Sequence, residues 1–84
     1  MRIVTLLFTD VEGSTWLLGS LGDTFVALIE RQRAILAGAA DTHRGSGYPT
    51  GGEGCIFLFG SVGDALAAAV EAQRGLAAER WQVA

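Results

Sequence analysis

Asp10 and Glu53 are the two residues of this 84-residue chain whose type and setting suit chemistry. Asp10 follows Ile3-Val4-Thr5-Leu6-Leu7-Phe8-Thr9, a β-prone run that projects a carboxylate from rigid backbone. Glu53 sits in Gly51-Gly52-Glu53-Gly54, a tight turn just before a second apolar run, Cys55-Ile56-Phe57-Leu58-Phe59. If the two runs pair antiparallel, the end of the first lies beside the start of the second, and the carboxylates converge. Two hard oxygen ligands suit Mg²⁺ or Mn²⁺, with phosphate oxygens and water completing an octahedron. Val11, Glu12, Gly13, Ser14 and Thr15 lead from the strand end into a helix start, and Gly13 allows close backbone approach. Their N–H groups offer a cradle for a polyphosphate, as helix N-termini do.

The same residues also have structural readings. An Asp after a strand serves as a turn or N-cap residue, Gly-Gly-Glu-Gly as a hairpin turn with a solvated acid, and Ser14-Thr15 as a capping pair. His43 is a lone imidazole suited to compensating a helix dipole. Cys55 reads as a small core residue. Trp16 and Trp81 read as packing anchors or interface residues.

The elements that must position these groups follow from periodicity. Continuous apolarity from Ile3 to Phe8 predicts a central strand covered on both faces. Trp16-Leu17-Leu18 predicts a short helical turn, punctuated by Gly19 and Gly22. From Asp23 to about Asp41 the spacing is helical. Phe25, Leu28, Ile29, Gln32, Ile35, Leu36 and Ala39 share one stripe, with Glu30, Arg31, Arg33 and Asp41 off it. His43, Arg44 and Gly45 mark the end of that helix. Gly45 to Thr50 is a weak strand, which Pro49 confines to an edge or an irregular position. With Cys55 to Phe59 it makes a hairpin. Ser61 and Asp64 form a capping box. The Ala-rich helix behind them groups Leu66, Ala69, Val70, Gln73, Leu76 and Ala77 on one face and ends near Glu79. Strand, short helix, long helix, hairpin and helix predict an α+β sandwich of ferredoxin-like type. That type is expected to finish with at least one more strand, and none follows Trp81.

The length allows one domain, residues 1–84. Half the residues are apolar, only 18% are charged and mean hydropathy is +0.37. So short a chain cannot hide that much apolar surface, which predicts a partner or a missing stretch of chain, and self-association or poor solubility. The net charge of −3, with six Arg and no Lys, shows no basic patch for duplex nucleic acid. A single cysteine excludes an internal disulfide and fits a reducing compartment. The N-terminal apolar run is too short for a signal peptide, and no stretch approaches a membrane span. A cytoplasmic protein without a membrane segment is expected.

The string Leu7-Phe8-Thr9-Asp10-Val11-Glu12-Gly13-Ser14-Thr15 resembles the opening signature of class III nucleotide cyclase catalytic domains, Phe-Thr-Asp-Ile/Val-x-Gly-Ser-Thr. The resemblance continues through the long helix to Thr50-Gly51-Gly52-Glu53-Gly54, where the family has Thr-x-Gly-Asp-Gly. It extends to the Asp-Ala-Leu-Ala-Ala-Ala and Ala-Gln-Arg runs of the last helix. It spans essentially the whole chain but only the N-terminal half of the family domain. It implies a truncated ferredoxin-like, palm-type fold that helps convert ATP or GTP to a 3′,5′-cyclic nucleotide and pyrophosphate. Two Mg²⁺ or Mn²⁺ ions are implied at Asp10, the Val11 carbonyl and Glu53, with Val11 to Thr15 around the β- and γ-phosphates.

Three departures accompany the resemblance. Glu53 replaces the family's Asp, and Pro49 stands where adenylyl cyclases commonly carry the base-reading lysine. The family's transition-state Asn and Arg, its phosphate-contacting Lys and its second base-reading residue belong to the unmatched half. The resemblance therefore implies a homodimer or a complementing half-domain, with little activity from the chain alone. The alternative is a catalytically degenerate nucleotide-binding or dimerisation module. Gly-Gly-Glu-Gly also faintly resembles the loop of diguanylate cyclases, but Gly54 replaces the acid that motif needs.

Overall fold

The computed structural model describes residues 3–50 and 54–81. Its elements are β1 (Thr5–Thr9), α1 (Ser14–Leu21), α2 (Asp23–Thr42), β2 (Ser46–Pro49), β3 (Cys55–Phe59) and α3 (Val62–Ala78). This is the element order the periodicity predicts, and the fold is α+β. The start of α1 comes two residues earlier than expected, and Gly19 lies within it; Gly22, at φ 55°, ends it.

The sheet has the order β1-β3-β2, with β3 antiparallel to both neighbours. β1 and β2 therefore run parallel with β3 between them. Helices α2 and α3 pack against each other and against one side of this sheet. The expectation that β1 is a central strand covered on both faces is corrected here: β1 is an edge, and its residues alternate in exposure. Leu6 and Phe8 remain 48% and 64% exposed because both helices lie on the opposite face. They line an open face with their partners Leu58 and Ile56 and with Tyr48. Pro49 lies on the other edge strand, as its missing N–H requires.

The core joins Phe57 and Phe59 of β3 to Leu36, Ala39 and Ala40 of α2 and Ala65, Ala68 and Ala72 of α3. The predicted stripe of α2 is largely buried, but of the α3 stripe Leu76 packs against the core while most of the rest does not. Leu66 and Val70 are 62% and 49% exposed, and the small residues Ala65, Ala68 and Ala72 are inside. The reason is close helix packing. A Cβ at Gly75 would come 2.9 Å from Ile35 Cγ2, so this seam accepts only small side chains. Larger residues are left on the outer face.

Three polar ties join α2 and the turn after it to α3 and its C-cap. Arg31 Nε meets Glu79 at 2.8 Å, His43 Nε2 meets Glu71 at 3.2 Å, and Arg44 Nη2 meets Asp64 at 2.8 Å. The Ser61 cap forms, its Oγ accepting from Asp64 N–H at 3.1 Å. The Asp64 carboxylate binds Arg44 through two nitrogens. At the other end of α3 the Trp81 indole N–H donates to the Leu76 carbonyl at 3.1 Å, so Trp81 is a packing anchor. Trp16 is 72% exposed and anchors nothing within the described residues.

The turn after α2 separates two demands that one glycine usually meets. Gly45 N–H bonds the Ala40 carbonyl at 2.7 Å and Arg44 N–H bonds that of Asp41, the Schellman pattern. Its left-handed position, φ 63°, is held by Arg44. The glycine stands one residue later, because a Cβ there would lie 2.4 Å from Cε1 of the Phe59 ring. Gly45→Ala is therefore expected to destabilise by about 1–3 kcal/mol through overpacking. Gly38→Ala, with open space in an exposed helix interior, should stabilise by about 0.5–1 kcal/mol. Urea unfolding of both variants checks the contrast.

The Glu79 carboxyl is held below its ordinary 4.5, first by the Arg31 hydrogen bond and then, against desolvation, by the Arg31 charge. A depressed carboxyl contributes stability above its unfolded-state value, and loses it as pH falls through the folded-state value. The Arg31–Glu79 tie should thus be intact above about pH 4.5 and open below its lowered midpoint. A carboxyl-carbon NMR titration should show the Glu79 midpoint rising in Arg31→Met.

Candidate functional site

The β1–β3 register decides what meets Asp10. Thr9 pairs with Cys55, so Asp10 falls beside Gly54 at the mouth of the β2–β3 hairpin. The approach is close: a Cβ on Gly54 would lie 2.9 Å from the Thr9 carbonyl oxygen and 3.7 Å from Asp10 Oδ1. Thr50 Oγ1 donates to the Gly54 carbonyl at 2.8 Å and pinches the hairpin across its turn. The structure thus brings together Asp10, Thr50 and Gly54. Glu53, one residue from Gly54, lies outside the described residues, as does the rest of the turn, 51–53.

Asp10 is exposed, and its Oδ1 accepts the Val11 N–H at 2.9 Å, which fixes the carboxylate at the strand end. Glu12 and Gly13 form the turn into α1. Gly13 takes φ 72°, a left-handed conformation that L side chains rarely adopt, and occupies the N-cap position. The N-cap glycine has no side chain to cap this helix, and the first bond inside it runs from Leu17 N–H to the Gly13 carbonyl at 2.9 Å. Ser14 opens α1 without serving as the cap.

A shallow groove of about 520 Å³ at the site is lined by the apolar Phe8 and Ile56 and by Asp10, Thr50 and Gly54, among others. It opens on the sheet face the helices leave bare. A larger groove of about 740 Å³ reaches from α1 and α2 to β2 and β3. It shares Thr50, Gly54, Cys55 and Ile56 with the first, is lined by Glu30 and Arg33, and does not include Asp10.

The donors fit a divalent cation in kind, since Asp10 supplies a hard oxygen at a rigid strand end. In number they are few: among the described residues no three His, Cys, Asp or Glu side chains gather around one point. Of the paired arginines, Arg31 is engaged with Glu79 and Arg44 with Asp64, both on the α2–α3 side of the molecule.

The sequence singled out Asp10 and the loop behind it. It assigned no role to the contact between Gly54 and β1, whose only signal is a glycine next to a strand that must pair closely. Cys55 is half-buried against the core, and the Thr9 hydroxyl oxygen is buried without a partner among the described residues. No protein-family model matches the chain, and no curated protein matches it.

Gly54→Ala should push the strand ends apart, because the new methyl meets backbone and not a yielding side-chain tip. A loss of about 1–3 kcal/mol in urea unfolding is expected. The largest amide shifts in NMR spectra should fall at Thr9, Asp10 and Val11.

Proposed function

We propose that this chain forms the N-terminal part of a class III purine nucleotide cyclase catalytic domain with a ferredoxin-like, palm-type fold. Such a domain converts ATP or GTP to a 3′,5′-cyclic nucleotide and pyrophosphate. The observation that carries the reading is the meeting of Asp10 and the Gly54 hairpin mouth around one groove, with the Gly13 start of α1 three residues further along the chain. The strand order β1-β3-β2 supports it, being compatible with the split βαβ arrangement of ferredoxin-like sheets.

Asp10, the Val11 carbonyl and Glu53 are the residues that would hold two Mg²⁺ or Mn²⁺ ions. When bound, such ions lower the pKa of an attacking hydroxyl and neutralise a leaving pyrophosphate. In the Val11 to Thr15 segment the N–H groups after Val11, whose own N–H is taken by Asp10, bind the β- and γ-phosphates. The Val11 N–H bond to Asp10 Oδ1 keeps the carboxylate oriented toward the groove. Pro49 brings no donor to a purine edge, so the base is read by other groups.

Charge developing on phosphorus needs cationic stabilisers, and none of the residues assigned to this site is cationic. Groups outside these 84 residues, further along the same polypeptide or on a partner as a homodimer or a complementing half-domain, therefore supply them, and these residues alone turn over little or nothing. The cytoplasm, where ATP and GTP are made, is the matching compartment. No helix among the described residues is long and apolar enough to cross a membrane. The sparse donor set favours one second reading, a nucleotide-binding or dimerisation module that has lost turnover.

Calorimetric titration with ATP and with GTP in Mn²⁺ tests the reading. Binding is expected to require Mn²⁺ and to weaken by about tenfold or more in Asp10→Ala. Absence of binding by a folded sample, or equal binding by Asp10→Ala, would sink it.

A further inference from the structure

We propose that Thr50 is a positioning residue of the candidate site: its hydroxyl keeps the Gly54 end of the β2–β3 connection beside Asp10, and so limits where the Glu53 carboxylate can go. This adds a residue to which no role in the site has been given, and it rests on the cyclase reading of that site.

The need for such a residue is written in the composition of the turn. Three of the four residues in Gly51-Gly52-Glu53-Gly54 are glycine. Glycine has the widest conformational range and the most entropy to lose, so this stretch does not hold a carboxylate in place by itself. The backbone ladder stops short of it. Among the described residues, β2 and β3 pair from Ser46–Leu58 to Pro49–Cys55. Pro49 has no N–H, which leaves the end of β2 one backbone donor short. The next step is closed by a side chain: Thr50 Oγ1 donates to the Gly54 carbonyl at 2.8 Å, four residues along the chain.

The surroundings of Gly54 show what this bond controls. The point where a Gly54 Cβ would stand is 2.9 Å from the Thr9 carbonyl oxygen, 3.7 Å from Asp10 Oδ1 and 3.8 Å from Thr50 Oγ1. Gly54 is thus set between the end of β1 and the Thr50 hydroxyl, with the Asp10 carboxylate on the same small space. Thr50 is exposed and lines the same groove as Asp10. A hydrogen bond at such a position adds modestly to folding, and its larger consequence is where Gly54 stands. Mg²⁺ demands near-ideal ligand distances of about 2.0–2.1 Å. A carboxylate carried off by about 1 Å, through a hairpin root that is free to open, no longer meets that demand.

Thr42 supplies a matched control. Its hydroxyl also donates to a glycine carbonyl four residues away, that of Gly38 at 2.9 Å, but in the last turn of α2. Calorimetric titration with ATP in Mn²⁺ compares the wild type with Thr50→Val, Thr50→Ser and Thr42→Val. Valine keeps the β-branch and removes the donor, whereas serine keeps the donor. Thr50→Val is expected to weaken binding by about two- to tenfold, the equilibrium worth of one hydrogen bond. Thr50→Ser and Thr42→Val should stay within about twofold of the wild type. With Mn²⁺ alone, paramagnetic broadening of the Gly54 amide relative to that of Asp10 should fall in Thr50→Val and persist in the other two. A bond that served stability alone would not move that ratio. Wild-type affinity in Thr50→Val, a loss in Thr50→Ser or Thr42→Val equal to that in Thr50→Val, or an unchanged broadening ratio would each overturn the proposal and leave the cyclase reading standing. A folded wild type that binds neither Mn²⁺ nor ATP would overturn both.

Discussion

The pairing register between β1 and β3 is the constraint on which the rest of the structure depends. A slip of one residue would turn every side chain of a strand to the other face. In the observed register Phe57 and Phe59 point into the core and the polar Asp10 arrives beside Gly54. Burying each phenylalanine is worth roughly 1.5–3 kcal/mol, so the core enforces the register. The site inherits it at no further cost. Asp10 is placed by aromatic burial several residues away, and the Gly54 backbone contact and the Val11 N–H bond fix its last degrees of freedom.

The same register distributes apolar surface unevenly. α2 and α3 can lie together only because their seam is built from small residues, ending at Gly75 against Ile35. Close packing of alanines buries modest area per residue, which leaves the larger Leu66 and Val70 outside. The sheet compounds the imbalance, since one layer of helices covers one face. Polar ties between exposed groups at Arg31, His43 and Arg44 orient the helices more than they stabilise them. The apolar excess evident in composition therefore has definite addresses: the open sheet face, the β1 border and the outer flank of α3.

How far these features could be read from the sequence depends on what each residue competes with. The bounds of α2 and β3, the Ser61 cap and the edge position of Pro49 were legible, because local chemistry decides them. The buried face of α3 was not. Its helix carries one stripe of alanines and another of leucine and valine, and periodicity favours the larger side chains. Only the proximity of α2, a tertiary fact, selects the small ones. Gly45 and Arg44 show the same limit. The sequence marks a helix end there, but the Phe59 ring decides which residue must lack a side chain. At the site, Asp10 and the Gly13 turn were legible as a strand end entering a helix. The use of Gly54 depends on pairing between residues far apart in the chain.

Strand β1 carries the candidate site at its end. Its odd positions face the helices, and its even ones, Leu6 and Phe8, lead along the bare face toward Asp10. A strand paired on one edge is held less firmly than one paired on two, and the end that carries Asp10 has Cys55 and Gly54 as its lateral support.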